Sequence, residues 1–399
     1  MYLSGRTTAE FDARETRDET PPELVLSQLV SHMQPIVSVR QREVRLVEAL
    51  LRRCDRRGRV RLPGELFADA AKRGYREELE TAARKAALDA YQCVLVNAGP
   101  RPPVLSLNTD ASLVVRGARG AEELAAEVHE RGLIPSSVAL EILESALPHG
   151  AQLEEFCRTA RRMGFLLALD DVGMGHSNLG RIPRLEPDIL KIDRELVHGM
   201  SLSYHRREVF RSLLSLAHQI GALVIAEGIE DESDVHVGLT LGCDLFQGFY
   251  FGRPHDVRAG DPLCDESRLR AAGDEFRASA TRRLNDRRAR QRRSEQAARH
   301  LVGQLRTVGQ PSFDGLLRQA LARMPFAEAL YILDDQGIQI TDTAHRVASS
   351  RQALFQPAAR GADQSLKPYF LMLCSGLDRY TSEPYVSSAS GNFCITMSR

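Results

Sequence analysis

Tryptophan is absent from the 399-residue sequence and aromatic residues make up only 6% of it, which argues against nucleic acid bound by stacking bases on rings. The seven cysteines stand at 54, 93, 157, 243, 264, 374 and 394, and no two have CxxC spacing, so neither a disulfide framework nor a thiolate zinc site is indicated. No apolar run approaches the ~18 residues of a membrane-spanning helix. The N-terminal stretch carries charges throughout (TTAEFDARETRDE) where a secretory signal would be apolar. A cytoplasmic chain without a membrane span is the expectation. Net charge is missing too, with 53 Lys+Arg against 53 Asp+Glu. What is present is a globular composition, 43% hydrophobic and 27% charged, which excludes a mainly disordered chain. The length implies two or three domains of ~150 residues unless one is a large barrel.

Residues 1–24 are polar, end at Pro21 and Pro22, and read as a mobile arm. From 25 to 258, short β-branched or Leu-rich runs alternate with helical periodicity, the pattern of βα units around a parallel sheet. Eight runs can be placed: QPIVSV from Gln34, VRLVEALL from Val44, VLSLN from Val104, VALEI from Val138, LLALD from Leu166, ILKI from Ile189, LVIAE from Leu223 and LFQG from Leu245. Eight strands close a TIM-type barrel. The text from Pro63 to Tyr91 reads as helix of the outer ring. Only RQRE separates the first two runs, whereas a parallel crossover needs a dozen residues or more; the first strand is therefore expected to be antiparallel to the second. Residues 259–308 lack strand signals, and Arg277–Arg306 holds ten Arg against Asp286 and Glu295. This segment reads as a linking helix with a solvated basic face, and its charge alone does not establish nucleic acid or an acidic protein as a partner. In 309–399, LYILDDQGIQIT (Leu330–Thr341) and EPYVSSASGNFCITMS (Glu383–Ser398) each read as two strands joined by a turn. The chain stops inside the last of these strands, so this small domain is read either as truncated or as ending on an edge strand.

Polar side chains near the C-terminal ends of barrel strands project into the mouth of the barrel. Taken strand by strand they are Glu48, Asn108, Glu141, Asp170 with Asp171, Lys191, Glu227 and Gln247. Converging carboxylates repel and take up protons unless cations neutralise them. Oxygen ligands without Cys or His favour hard divalent ions such as Mg²⁺ or Mn²⁺. Two such ions with Lys191 bring the mouth near neutrality, and adjacent Asp170 and Asp171 suit a pair of ions acting on a phosphodiester.

The same residues carry a resemblance. VEALLR (Val47–Arg52) is similar to the signature of the EAL domain, a family of bacterial cyclic di-GMP phosphodiesterases. The likeness continues through MQPIV (Met33–Val37), LSLN (Leu105–Asn108), LEILES (Leu140–Ser145), LALDDVGMGHSNL (Leu167–Leu179), DILKIDRELV (Asp188–Val197), VIAEGIED (Val224–Asp231) and GCDLFQGFYFGRP (Gly242–Pro254). It implies an α/β fold: a (β/α)₈ barrel whose first strand is antiparallel, followed here by the linker helix and a small α+β domain. It implies hydrolysis of cyclic di-GMP to linear 5′-pGpG with two Mg²⁺ or Mn²⁺ ions. By position, Glu48, Asn108, Glu141, Asp170, Asp171 and Glu227 match metal ligands, and Lys191 matches the lysine that polarises the attacking water, acting with Glu227 and Glu48. Gln34 and Arg52 match substrate-contacting positions, Glu230 and Gln247 match supporting residues of the substrate site, and Glu144 matches the anchor of the loop after the fifth of the eight runs. That loop departs from the common DDFGTGYSSL, with Val172, Met174 and His176 replacing Phe, Thr and Tyr, which implies lower or differently regulated turnover. The segment Asp378–Ser398 resembles a PAS-like or Cache-like sensor domain, implying an unidentified small ligand near Arg379, Tyr380 and Tyr385. A homodimer regulated through the linker helix is expected. The competing reading is an EAL-like domain with weak catalysis that serves as a cyclic di-GMP receptor or scaffold.

Overall fold

The computed structural model describes residues 21–54, 60–143, 150–173, 179–346, 356–387 and 389–399. A nine-stranded sheet is built from β1 (Leu29–Ser38), β2 (Glu43–Cys54), β3 (Val60–Arg61), β4 (Val104–Asn108), β5 (Val138–Leu143), β6 (Leu166–Val172), β7 (Ile189–Ile192), β8 (Leu223–Ala226) and β9 (Leu245–Gln247). Its order is β1-β9-β8-β7-β6-β5-β4-β2-β3, and β1 also pairs with β2, so eight strands close a barrel and β3 is a short flap on β2. β1 is antiparallel to both neighbours, because the connection over residues 39–42 is too short for a crossover; Arg42 takes the left-handed conformation (φ 60°) in this turn. The other neighbouring pairs around the barrel are parallel.

The helices before and around the barrel are α1 (Pro22–Leu26), α2 (Pro63–Arg73), α3 (Arg76–Asn97), α4 (Ala111–Val115), α5 (Ala118–Glu130), α6 (Ala151–Met163), α7 (Ile182–Leu185), α8 (Arg194–Val197), α9 (Tyr204–Gln219) and α10 (Glu232–Leu241). Two sequence readings need correction here. The arm expected over 1–24 is helical from Pro22, where Pro at the first helical position costs no hydrogen bond and Val25 is buried; residues 1–20 lie outside the described part. The single helix expected over 63–91 is two, because Gly74 caps α2 in the left-handed conformation (φ 78°) and Tyr75 turns into the core with its hydroxyl on Asp69 at 2.7 Å.

The core has two layers with different consequences. Outside the sheet, the helices pack apolar faces such as Leu88, Val128, Phe156 and Phe210 against it. Inside the barrel sits a small cluster of Ile36, Leu46, Ala139, Ala168, Ile189, Ile225 and Leu245. Alternation along a strand returns to the same face every second residue. Two residues beyond each of these toward the mouth stand Gln34, Glu48, Glu141, Asp170, Lys191, Glu227 and Gln247. The apolar layer is the dry floor of the site.

The chain divides into units at 1–280 and 281–399. A helix, α11, runs from Glu266 to Leu305. In the second unit its Leu301, with Ala297 and Leu305 alongside, joins Leu317, Ala320, Leu321, Met324 and Ala344 in a separate core. The remaining elements are α12 (Phe313–Arg323), β10 (Ala329–Leu330), β11 (Ala344–His345), α13 (Pro368–Cys374), β12 (Tyr380–Thr381), β13 (Tyr385–Val386), β14 (Phe393–Cys394) and β15 (Met397–Ser398). The strands pair as β10–β11, β12–β15 and β13–β14, each over two residues. The 330–341 hairpin reduces to a bridge between Leu333 and Gln339 around Gly337 (φ 84°). Among the described residues no helix is long and apolar enough to cross a membrane.

Candidate active site

Lys191, on β7, is 2% exposed. Its ammonium lies 2.8 Å from Glu141 Oε1, 2.8 Å from Glu227 Oε1, 3.1 Å from Asp170 Oδ1 and 3.9 Å from Glu48 Oε1. These four carboxylates come from β5, the end of β8, β6 and β2, so barrel closure brings distant parts of the chain onto one nitrogen. Glu141 is fully buried and also accepts a hydrogen bond from Ser106 Oγ at 2.6 Å. Gln247 Nε2 donates to Gln34 Oε1 at 3.2 Å and to Glu48 Oε2, and Gln34 Nε2 donates to the Gly252 carbonyl at 3.2 Å. A cleft of about 270 Å³ opens above, lined by Gln34, Glu48, Asp170, Lys191, Glu227 and Gln247, with Leu50, Arg194, Glu230 and Phe249 at its sides. Gly248 also lines it; a Cβ there would lie 2.0 Å from the Ile229 carbonyl oxygen, so the approach of the two loops needs glycine.

Consecutive strand residues normally face opposite ways, yet Asp170 and Asp171 both serve this end of the barrel. The β6–β7 register shifts between Leu169 and Val172, and Asp171 has φ 56°. This local bulge turns the second carboxylate back, so that oxygens of Asp170, Asp171 and Glu227 lie within 4.8 Å of one another. A non-glycine residue in this conformation stores about 1–3 kcal/mol, a cost that a site holding opposite charge recovers.

One ammonium cannot neutralise this group. Burial pushes the Glu141 carboxyl well above the usual range, reinforced by the charge of Glu48 and opposed by Lys191. Burial likewise pushes Glu227 up to about 8, against the pull of Lys191 and with the repulsion of Asp170 and Glu48. For Lys191 burial opposes the charge, and Glu141, Glu227, Glu48 and Asp170 together hold it charged. Glu141 Oε2 and Gln247 Oε1 are buried with no hydrogen-bond partner among the described residues. Unfilled oxygen acceptors beside an excess of carboxylate fit divalent, oxygen-preferring cations.

A pH dependence follows for the metal-free chain. Below the ordinary Glu range near pH 4.5 the carboxyl is protonated folded or unfolded; as pH rises toward about 8 the unfolded chain releases the Glu227 proton more readily, so stability is lost across that window. Lys191 remains charged in both states there. Chelator-treated protein is expected to melt several degrees lower at pH 8 than at pH 5, with a smaller drop for Glu227→Gln. Equal drops for both proteins in thermal melts would contradict this assignment.

Not every expected residue joins the cleft. Asn108 pairs with Glu141 across β4–β5 but is exposed and does not line it. Ser106, which sequence reasoning passed over as ordinary strand text, occupies the buried position and holds Glu141; its signal was a hydroxyl in the middle of an apolar run. Arg52 is half-buried opposite Val30, with Nη1 on the Leu51 carbonyl at 2.8 Å. Glu230 lines the cleft and pairs with Arg194 at 3.0 Å. Phe249, also unforeseen, lines it with the Arg253 guanidinium 4.1 Å from its ring centre. Glu144, Met174 and His176 lie outside the described residues.

Comparison with known proteins accords with this geometry. The model of the EAL domain family matches residues 18–254. The cyclic di-GMP phosphodiesterase NbdA of Pseudomonas aeruginosa is 28% identical over 280 residues, covering 67% of this chain and 35% of NbdA. The match thus spans about a third of that relative's length. The crystal structure of Bacillus subtilis YkuI in complex with substrate c-di-GMP and calcium is similar over 94% of both chains, with 25% identity and a TM-score of 0.77. Klebsiella pneumoniae BlrP1 in a manganese and cy-diGMP complex is similar over 57% of this chain and 56% of its own, with 27% identity and a TM-score of 0.51.

Proposed function

The chain belongs to the EAL domain family, and from that premise we propose that it hydrolyses one phosphodiester bond of cyclic di-GMP to give linear 5′-pGpG. The observation that carries the reading is the buried Lys191 ammonium within 2.8–3.9 Å of four carboxylates at the base of an open cleft. The donor set is suited to two Mg²⁺ or Mn²⁺ ions held by Glu48, Glu141, Asp170, Asp171 and Glu227, which when bound would supply charge to polarise water and stabilise the leaving oxygen. Lys191 directs a proton toward the water oxygen and keeps Glu141 and Glu227 fixed in place. Gln247 and Gln34 hold one another and Glu48 in position. Gln34 and Arg52 bind the dinucleotide, and Glu230 supports that side of the cleft through Arg194. Hydrolysis adds hydroxide to phosphorus and leaves the proton on the 3′-oxygen. The same proposal includes a homodimer in the cytoplasm and a PAS-like or Cache-like C-terminal domain that adjusts the barrel in response to a small ligand.

Incubating the purified chain with cyclic di-GMP and Mn²⁺ is expected to yield pGpG, with none from Glu48→Ala. No product from the parent chain, with calorimetric binding intact, would replace the hydrolase by a receptor.

A further inference from the structure

A second group of metal-competent side chains stands apart from the carboxylates around Lys191. His198 follows α8, Asp231 occupies the N-cap position of α10 and Asp234 lies in its first turn. One ligand atom from each lies within 4.8 Å of the other two. Asp234 is 1% exposed, and its two oxygens accept the Gly199 and Ser201 amides at 2.8 and 2.9 Å, so its carboxylate is set against the His198 loop.

A latch between loops accounts for Asp234 but not for its neighbours. Asp is among the best N-caps because it accepts the free amides of the first turn, yet Asp231 makes no such bond and instead accepts Ser233 Oγ at 3.1 Å. His198 Nδ1 is shut off from solvent and has no hydrogen-bond partner among the described residues, an arrangement that is costly if nothing binds it. Among the described residues no Lys or Arg forms an ion pair with Asp231 or Asp234; nearby Arg206 is held by the His198 carbonyl at 2.6 Å.

We propose that His198, Asp231 and Asp234 form a divalent-cation site distinct from the cleft, suited to Zn²⁺ or Mn²⁺. Two carboxylates balance the ion, and an imidazole nitrogen beside them selects these borderline ions over Ca²⁺ and Mg²⁺. Ligands held at ~2.0–2.2 Å stand at most about 4.4 Å apart, so closure by about half an ångström completes the site. The ion ties the α8–α9 connection to the β8–α10 connection that carries Glu227 and Glu230. These segments already touch: Glu230 pairs with Arg194, and a Cβ on Gly228 would fall 2.3 Å from Arg194 Cγ. The cation therefore steadies the loop that holds Glu227, whatever reaction the cleft performs.

The test is Zn²⁺ stoichiometry of the full chain after chelator treatment, by calorimetry and by metal analysis after gel filtration. Zn²⁺ is the probe, with Mn²⁺ in parallel. His198→Ala, at a partly exposed position, is expected to retain one Zn²⁺ fewer per chain than the parent, and Asp231→Asn to weaken the same binding phase at least tenfold. In an Asp170→Asn/Asp171→Asn background one ion should remain and disappear on adding His198→Ala. Unchanged stoichiometry and affinity in His198→Ala, or loss of all Zn²⁺ from the Asp170/Asp171 variant alone while it stays folded, would overturn the proposal. If that double variant does not fold, the comparison of His198→Ala with the parent decides by itself.

Discussion

Replacing Lys191 with Met is expected to lower cyclic di-GMP turnover by about 10³-fold, within the range of about 10²–10⁴ for removing a positioned proton-transfer group. Met keeps most of the stem that packs above Ile189 and Ile225, so the loss isolates the ammonium. That ammonium serves Glu141 and Glu227 at 2.8 Å each, and without it both carboxyls take up protons at higher pH still. The variant should therefore bind divalent ions more weakly at neutral pH as well as turn over more slowly. Product formation at saturating Mn²⁺, with circular dichroism to verify the fold, measures this; a rate within tenfold of the parent would remove Lys191 from the chemistry.

For Asp170→Asn the larger effect falls on the cation. Asp170 pairs with Lys191 at 3.1 Å and shares with Asp171 and Glu227 a cluster of oxygens within 4.8 Å. Removing its charge takes one ligand from that cluster while changing little volume. Losing a group that merely hydrogen-bonds a metal ligand already costs about 10–100-fold in affinity, so the Mn²⁺ concentration for half-maximal activity is expected to rise about 100-fold or more. Gln34, on the far side of the cleft, is untouched by the change. A Mn²⁺ titration that superimposes on the parent's would mean that Asp170 holds no ion.

Several parts of the architecture were legible because they depend on local spacing. The eight strand runs are separated by enough residues for helical crossovers except at RQRE, where chain length alone forces the antiparallel pair. The break at Gly74 carries a local signal, basic Lys72 and Arg73 followed by glycine, but the helical text on both sides of it hides the stop until Gly74 is seen in the left-handed conformation with Tyr75 buried beside it. The hairpin pairing between Tyr385–Val386 and Phe393–Cys394 appears where turn residues predict it, while the outer pairing of Tyr380–Thr381 with Met397–Ser398 joins segments whose separation carries no local signal.

At the candidate site the sequence by itself determined which side chains share a face, since a strand repeats every second residue and the polar groups stand two residues from apolar ones, after them on the parallel strands and before Ile36 on the antiparallel β1. It determined the excess of carboxylate as well. Only the tertiary structure decided which of these groups meet. Neighbouring strands in the barrel are staggered, so Glu48 lies level with Ser106, and Asn108 lies level with Glu141; Ser106 is thereby buried against Glu141 while Asn108 remains exposed. The bulge at Asp171 brings two adjacent acids to one end of the barrel, which simple alternation forbids. Closure of the barrel sets the ammonium of Lys191 among four carboxylates from four separate segments, because strands far apart in the chain become neighbours only when the sheet closes on itself.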